Sequence, residues 1–513
     1  MTQSSTLLPS SPVIHSRDMR WRWLAMPMVL LSLAYLFVGL HSAVTRARQP
    51  WPMSPWESSI IVDCWRVLHH RPIYVDPASG QSTYMYGPLG IYLNVPLVAA
   101  FGWDVRLTRL PSLAMGLALC IAASWLLGRG DWITHVLILS FSFMQFYRNR
   151  DWAVEARPDA ALLFFSFIAI VLFYRAHRDL NLKNTFWQTL FGAATLLIGF
   201  FFKQTALAAG LIPILAVILS RPSNFSSRLL IAFIPLAACG FAVVILKLFF
   251  PMTYLYMVKV PSSYPVPLGT CFEVLIELVR LSPLGSAAFF AWAMMSSQGE
   301  KSDPVDQWLL GSVVILGLAG CAARAKYGGY FNSHLPASMA LALFAARVFP
   351  QLFQKASKKN WSILFGGAIA LLGPLLLIAE VSAMTRTLLP GKTTPEHGDS
   401  SYRQVIATVQ SLPGQVICPD DPTIPLIAKG YAGHSGQCDL DANDQTLPLS
   451  ARRELRDADW VIQVAGSSRR PVIASTLLSR MGFVQDSQIQ PGNTMYVFWR
   501  KPENAVMETP DVK

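Results

Sequence analysis

The chain has 513 residues, of which 53% are hydrophobic and only 14% charged, with a formal net charge of +12. A water-soluble protein of this length would carry far more charged surface, so lipid must cover most of it. Its Lys and Arg residues sit in short connectors between apolar blocks and build no continuous basic stripe, which excludes nucleic acid as a partner.

The apolar blocks run for roughly 17 to 25 residues, the length that crosses about 30 Å of hydrocarbon at 1.5 Å per helical residue. Residues 1–22, with Arg17, Arg20 and Arg22, form a cytoplasmic N-terminal segment by the positive-inside rule. Residues 23–44 are too long for a cleaved signal core and become the first span. Further candidates follow at 87–103, 107–128, 131–147, 159–175, 186–202, 205–220, 228–250, 276–296, 307–323, 332–349 and 361–384.

Three later connectors, Arg175/Arg178/Lys183, Arg221/Arg228 and Arg347/Lys355/Lys358/Lys359, are basic and are expected on the cytoplasmic side. Counting spans from either end reconciles these sides only if one segment between 87 and 147 fails to cross. Residues 131–147 are short and carry His135, Ser140, Ser142 and Gln145, so they are read as re-entrant or interfacial. Eleven spans and an external C-terminus result, twelve if that segment crosses. The whole is an all-α polytopic membrane domain, 23–385, in the cytoplasmic (inner) membrane.

Residues 45–86 then form an external loop holding Trp51, Trp56, Trp65, Tyr74, Tyr84 and Tyr86, aromatics that favour helices lying on the bilayer. From 396 to 503 the composition turns polar. Short β-type runs at Gln415 to Cys418, Trp460 to Val464 and Met495 to Trp499 surround a helical stretch at 471–481, predicting a small external α/β domain. Residues 504–513 read as a disordered tail. Cys418 and Cys438 lie in this domain, and outside the reducing cytoplasm they are candidates for a disulfide. Cys64, Cys120, Cys239, Cys271 and Cys321 lack metal-ligand spacing and read as packing residues.

Polar groups concentrate at four places: Glu57 with Asp63; Glu155, Arg157 and Asp159; Lys326 with Tyr330, Asn332 and His334; and Lys203 within an apolar run. Charge at membrane depth is costly and tends to serve function. Each has a plainer reading. Glu57 fits an ordinary loop carboxylate, Asp63 a structural acid, Asp159 a helix cap or partner of Arg157, Lys203 a snorkelling cation and His334 a satisfied polar residue.

The order Trp56-Glu57, Asp63, His70-Arg71-Pro72-Ile73-Tyr74, Tyr86-Gly87-Pro88-Leu89, Arg109-Leu110-Pro111-Ser112, Arg157-Pro158-Asp159, Lys203-Gln204-Thr205 and Tyr330-Phe331-Asn332-Ser333-His334-Leu335-Pro336 resembles the GT-C glycosyltransferases. More narrowly it resembles bacterial relatives of protein O-mannosyltransferases and of the lipid A aminoarabinose transferase, over roughly residues 20–385. The resemblance implies a sugar donor on a polyprenyl phosphate, a carboxylate in the first external loop that serves the chemistry, and a second acidic site in the next. By position these are Glu57 and Asp159, the candidate catalytic residues. Many relatives have an Asp-Glu pair in the first loop, and here Trp56 precedes Glu57. That departure weakens any case for a bound metal: no cofactor is certain, and a divalent cation stays an open option.

The chemistry needs a carboxylate to take the acceptor's proton and cations to stabilise the departing phosphate. Asp63, Arg157, Lys203, Lys326, Tyr330, Asn332 and His334 are the candidate substrate-binding residues. The expected acceptor is a glycan, a lipid or a protein. Two other functions stay open, a non-catalytic membrane assembly protein and a lipid or sugar transporter, although the internal repeats usual in transporters are not seen.

Overall fold

The computed structural model describes residues 20–502 apart from 79, 129, 149–150, 298–302, 327–328, 358–370, 381–394, 444, 467–470 and 491–493. Most of the N-terminal segment, parts of the last expected span and the expected tail therefore lie outside the described residues. The helices that organise the membrane domain are α1 (Arg20–Ala47), α2 (Pro55–Leu68), α3 (Val105–Leu127), α4 (Trp132–Tyr147), α5 (Asp159–Arg178), α6 (Leu182–Phe202), α7 (Phe225–Phe249), α8 (Leu268–Leu281), α9 (Pro283–Ser297), α10 (Pro304–Ala325) and α11 (Leu335–Ala356).

Among the described residues, seven helices are long and apolar enough to cross a membrane: α1, α3, α5, α6, α7, α10 and the helix ending the 332–356 segment. An eighth span results if α8 and α9, bent by 87° at Ser282, count as one. The remaining expected spans are short or broken. Gln204–Leu211 is a 3-10 helix running into a nine-residue α-helix, Ile212–Ser220, and only Leu371–Glu380 of the last is described.

The expectation for 87–147 needs correcting. Residues 87–103 form two short helices, Leu89–Tyr92 and Val95–Phe101, too short to span. Residues 131–147, read as re-entrant or interfacial, hold a 16-residue helix that is likewise shorter than the seven spans, and it does not lie on the surface but is buried against α1, α3 and α11. Two of its polar side chains are bonded inside the bundle, Ser142 Oγ donating to Ile138 O at 2.6 Å and Gln145 to Glu380, and Ser124 Oγ donates to the His135 carbonyl at 2.9 Å, while the buried Ser140 hydroxyl has no partner among the described residues.

Helix α11 is the hub, buried along nearly all its length and contacting α1, α4, α9 and α10. Its buried Ala337, Ala340, Ala342, Ala345 and Ala346 let neighbours approach closely, which is how helices associate where lipid offers no hydrophobic drive. Two apolar clusters meet along it, one with α1, α3, α4 and α9, the other with α6, α7 and α10.

The C-terminal domain is a four-stranded sheet of order β1-β2-β4-β3, with β1 (Val416–Ile417) parallel to β2 (Trp460–Gly466) and β4 (Thr494–Arg500) antiparallel to both β2 and β3 (Val484–Ile489). Side chains alternate between its faces. Trp460, Ile462, Tyr496 and Phe498 meet the Pro395–Ser411 helix, while Val461, Val497 and Trp499 meet Leu455 and Leu478 of two further helices. Strand β3 was not foreseen, because its sequence, Val-Gln-Asp-Ser-Gln-Ile, is almost wholly exposed and carries no apolar alternation.

The expected Cys418–Cys438 disulfide is not formed. Each is a buried thiol. Cys418 packs with Tyr402, Val405 and Ile462 under the sheet, whereas Cys438 lies on the Gly436–Ala442 helix, which faces α2.

Candidate functional site

The polar residues of the two acidic loops form one continuous cluster where α2, the start of α5 and the end of α6 meet. Ala156 N donates to Glu57 Oε1 at 3.3 Å. Arg157 lies between Glu155 (3.5 Å) and Asp159 (3.6 Å), and Lys203 Nζ donates to Asp159 Oδ1 at 2.6 Å. Asn332 Nδ2 reaches the same oxygen at 3.1 Å. The sequence paired Glu57 with Asp159 across about a hundred residues, and the structure brings them into this cluster.

Within it the acids differ. Glu57 is completely buried, and both its oxygens are taken. Arg109 Nε donates to Oε1 at 2.7 Å and Nη2 to Oε2 at 2.8 Å, with Met53 N on Oε2 at 2.8 Å. Arg109 in turn caps the end of α1 through Arg46 O, Ala47 O and Gln49 O and binds Trp51 O, filling acceptors that a helix end leaves open. Asp63 is equally engaged, by Arg66 Nη1 at 3.0 Å and by Thr83 Oγ1, and burial pushes its carboxyl up to about 6.

Glu155 and Asp159 each keep one buried oxygen, Oε1 and Oδ2, without a hydrogen-bond partner among the described residues. Burial raises the Glu155 carboxyl to about 7, Arg157 opposing the rise and Glu57 adding to it. Ser54 Oγ donates to its other oxygen at 2.9 Å.

Beside the cluster opens a cavity of about 340 Å³. Arg157, Lys203 and Lys326 line one part of it, with aromatic rings of Trp56, Tyr84, Tyr86, Tyr264 and Tyr330 around them. The Arg157 guanidinium lies 4.5 Å from the Trp152 ring centre and 5.4 Å from that of Trp56, and its Nε and Nη1 have no hydrogen-bond partner. Stacking against indoles holds its plane while leaving donors available. Lys326 spends one donor on Pro261 O at 2.9 Å, the one hydrogen bond of its ammonium among the described residues, and an ammonium carries three donors.

Tyr86 stands over Lys203, Nζ to ring centre 4.8 Å, because the following residue carries no side chain. A Cβ on Gly87 would lie 1.9 Å from Phe201 O, and Gly87 N donates to Phe202 O at 3.1 Å. The loop is thereby pinned to the end of α6.

Of the residues singled out from sequence, Arg157, Lys203, Lys326, Tyr330 and Asn332 line the cavity. Asp159 lies directly behind Lys203 and Asn332. Glu57 and Asp63 are outside the lining, as is His334, buried with its Nε2 3.3 Å from Glu277. Sequence reasoning quoted Arg109 only within a motif and missed Tyr264, Gln437, Asp441 and Gln445 altogether. The Arg-Leu-Pro-Ser motif marked Arg109, but the last three lie in a polar stretch with no pattern to mark them.

Among the described residues no group of three His, Cys, Asp or Glu side chains could hold a metal ion. The donor set fits one poorly, since Glu57 and Asp159 are held by Arg109 and Lys203.

No protein-family profile matches the sequence, and no curated protein matches it. Solved structures do match the fold. ArnT from Cupriavidus metallidurans in the apo state superposes with a TM-score of 0.57 at 13% identity, over 92% of this chain and 97% of that one. The same protein bound to undecaprenyl phosphate gives 0.54 at 12% identity, over 92% and 98%. The Archaeoglobus fulgidus oligosaccharyltransferase in its apo form covers 84% of this chain and 69% of its own at 12% identity, but at a TM-score of 0.46 that likeness carries no argument. The chain is a multi-pass membrane protein with a GT-C-type fold and a small C-terminal α/β domain.

Proposed function

We propose that this protein is a membrane glycosyltransferase that takes a sugar from a polyprenyl-phosphate donor at the external face of the cytoplasmic membrane. The observation that carries this reading is the cavity in which Arg157, Lys203 and Lys326 present cationic donors among aromatic rings. Such donors suit a phosphate on a lipid, and a structural neighbour, ArnT, has been crystallised with undecaprenyl phosphate bound.

In this reading the acceptor hydroxyl attacks the anomeric carbon and a glycosidic C–O bond forms. The bond from that carbon to the phosphate oxygen breaks, and its electron pair leaves with the polyprenyl phosphate. Arg157, Lys203 and Lys326 stabilise the charge as it grows. The proton goes to Glu155 or Asp159, the two acids of the cluster with an oxygen to spare. Glu57, engaged at both oxygens, is assigned a positioning role through Arg109.

The test uses the full-length protein in lipid nanodiscs. It should bind undecaprenyl phosphate, and with undecaprenyl-phosphate monosaccharides and a cell-envelope extract it should release undecaprenyl phosphate. Absence of lipid-phosphate binding would overturn the reading. A reporter active only outside the cytoplasm, fused at the C-terminus, should be active. A silent one would overturn the proposed face.

A further inference from the structure

The cavity has a second wall, and it comes from the C-terminal domain. Gln437 and Asp441 are four residues apart on the Gly436–Ala442 helix, which puts them on one face, and Gln445 follows just beyond its end. All three line the cavity, and Asp441 is the one carboxylate among its described lining residues.

The wall is fixed in place. Trp56 Nε1 donates to Asp441 Oδ2 at 2.7 Å, Gln437 Nε2 donates to Oδ1 at 2.8 Å, and Tyr264 OH donates to the Asp441 carbonyl at 2.7 Å. The domain is seated on the first loop by two more bonds, Ser82 N to Asp439 Oδ1 and Gln81 Nε2 to Ala432 O, both 2.9 Å. Gln445 is held at φ 62°, a left-handed conformation disfavoured for a residue with a side chain, and such strain gathers at ligand sites.

The chemistry of this wall differs from that of the cationic one. Two amides and a carboxylate stand in a row beside aromatic rings; Trp56 and Gln437 place one donor on each Asp441 oxygen, whereas each Glu57 oxygen receives two, so the Asp441 carboxylate keeps acceptor capacity. That set suits a sugar: hydroxyls bond to the amides and carboxylate, and the C–H faces lie against the rings. It suits a phosphate poorly, because a carboxylate repels it.

We propose that Gln437, Asp441 and Gln445 form a donor-sugar subsite, the C-terminal domain reading the hydroxyls of the sugar whose phosphate the cationic wall holds. The inference rests on the proposed polyprenyl-phosphate chemistry. The donor is preferred over the acceptor as the source of these hydroxyls because its sugar is bonded directly to the phosphate and must therefore lie against whatever faces the cations. A neutral sugar fits this wall, and a sugar acid would be repelled by Asp441.

The experiment compares affinities of the full-length protein in nanodiscs for undecaprenyl phosphate alone and for undecaprenyl phosphate carrying glucose, mannose or arabinose. Asp441→Asn keeps the shape and an acceptor for Trp56, and Gln437→Ala tests the row independently. The unsubstituted protein should bind at least one sugar-bearing lipid about tenfold more tightly than the bare lipid, and both variants should lose that preference while binding the bare lipid as before. If the unsubstituted protein binds bare lipid and shows no preference for any sugar, the subsite is overturned. The same follows if the variants weaken bare and sugar-bearing lipids alike, or leave the preference intact. Failure to bind even bare undecaprenyl phosphate would instead remove the phosphate reading on which the inference stands.

Discussion

Arg109 and Arg157 are both buried arginines beside acidic residues of the same cluster, yet they are held in opposite ways. Arg109 is saturated, its guanidinium divided between two carboxylate oxygens and four backbone carbonyls. Arg157 faces two acids at 3.5 and 3.6 Å, is braced by indole rings and keeps donors unused. A saturated pair locks the fold and has nothing left to offer a ligand. An under-satisfied one, beside a cavity, is available for chemistry.

Breaking the saturated pair should have the largest effect. Glu57→Gln leaves the Arg109 charge buried without its partner, which costs about 3–5 kcal/mol. Thermal unfolding in nanodiscs should show a large loss of stability. A variant that unfolds like the parent but no longer transfers sugar would break the comparison and make Glu57 the base. Arg157→Gln should act on ligand instead. Losing a charge-assisted bond to phosphate is worth about 1.5–3 kcal/mol, so undecaprenyl phosphate binding should fall roughly ten- to hundredfold. Lys326→Met removes a cation already part-used by Pro261. Binding should weaken by about fivefold with the unfolding temperature unchanged, checked by titration and melting of the same preparation.

A pH dependence sharpens the comparison further. The Glu155 carboxyl is raised from the ordinary 4.5 to about 7, so between those values the folded protein holds a proton that the unfolded chain releases. This contribution to stability is fully present below pH 4.5 and is lost as the pH rises through 7. Melting temperatures across that window should carry this slope in the parent, and Glu155→Gln should flatten it. If Glu155 takes the acceptor's proton, turnover should climb through pH 7 in the parent and lose that rise in the variant.

How far the sequence could be read depends on how local each signal is. Apolar blocks mark helices such as α1, α3 and α5 because hydropathy is a property of the block itself. The burial of 131–147 was not legible, because Gln145 is held by Glu380, a partner 235 residues away. Asp159, Arg157 and Lys203 were legible because a charge in an apolar setting stands out. Asp441 was not, since an acid in a polar stretch is unremarkable until Trp56 is seen to hold it. Arg347 was read as a connector charge, and it is in fact buried, donating to Asp306 at 2.6 Å and to Leu127 O at 2.7 Å.

The Trp56–Asp441 bond joins residues 385 positions apart. During synthesis Arg157, just before α5, and Lys203, just after α6, are made long before Gln437, Asp441 and Gln445. A nascent chain can therefore assemble Arg157 and Lys203 while the C-terminal part of the cavity lining is still missing. Completion of the cavity coincides with docking of the last domain, so the order of translation itself delays the point at which the cavity is whole.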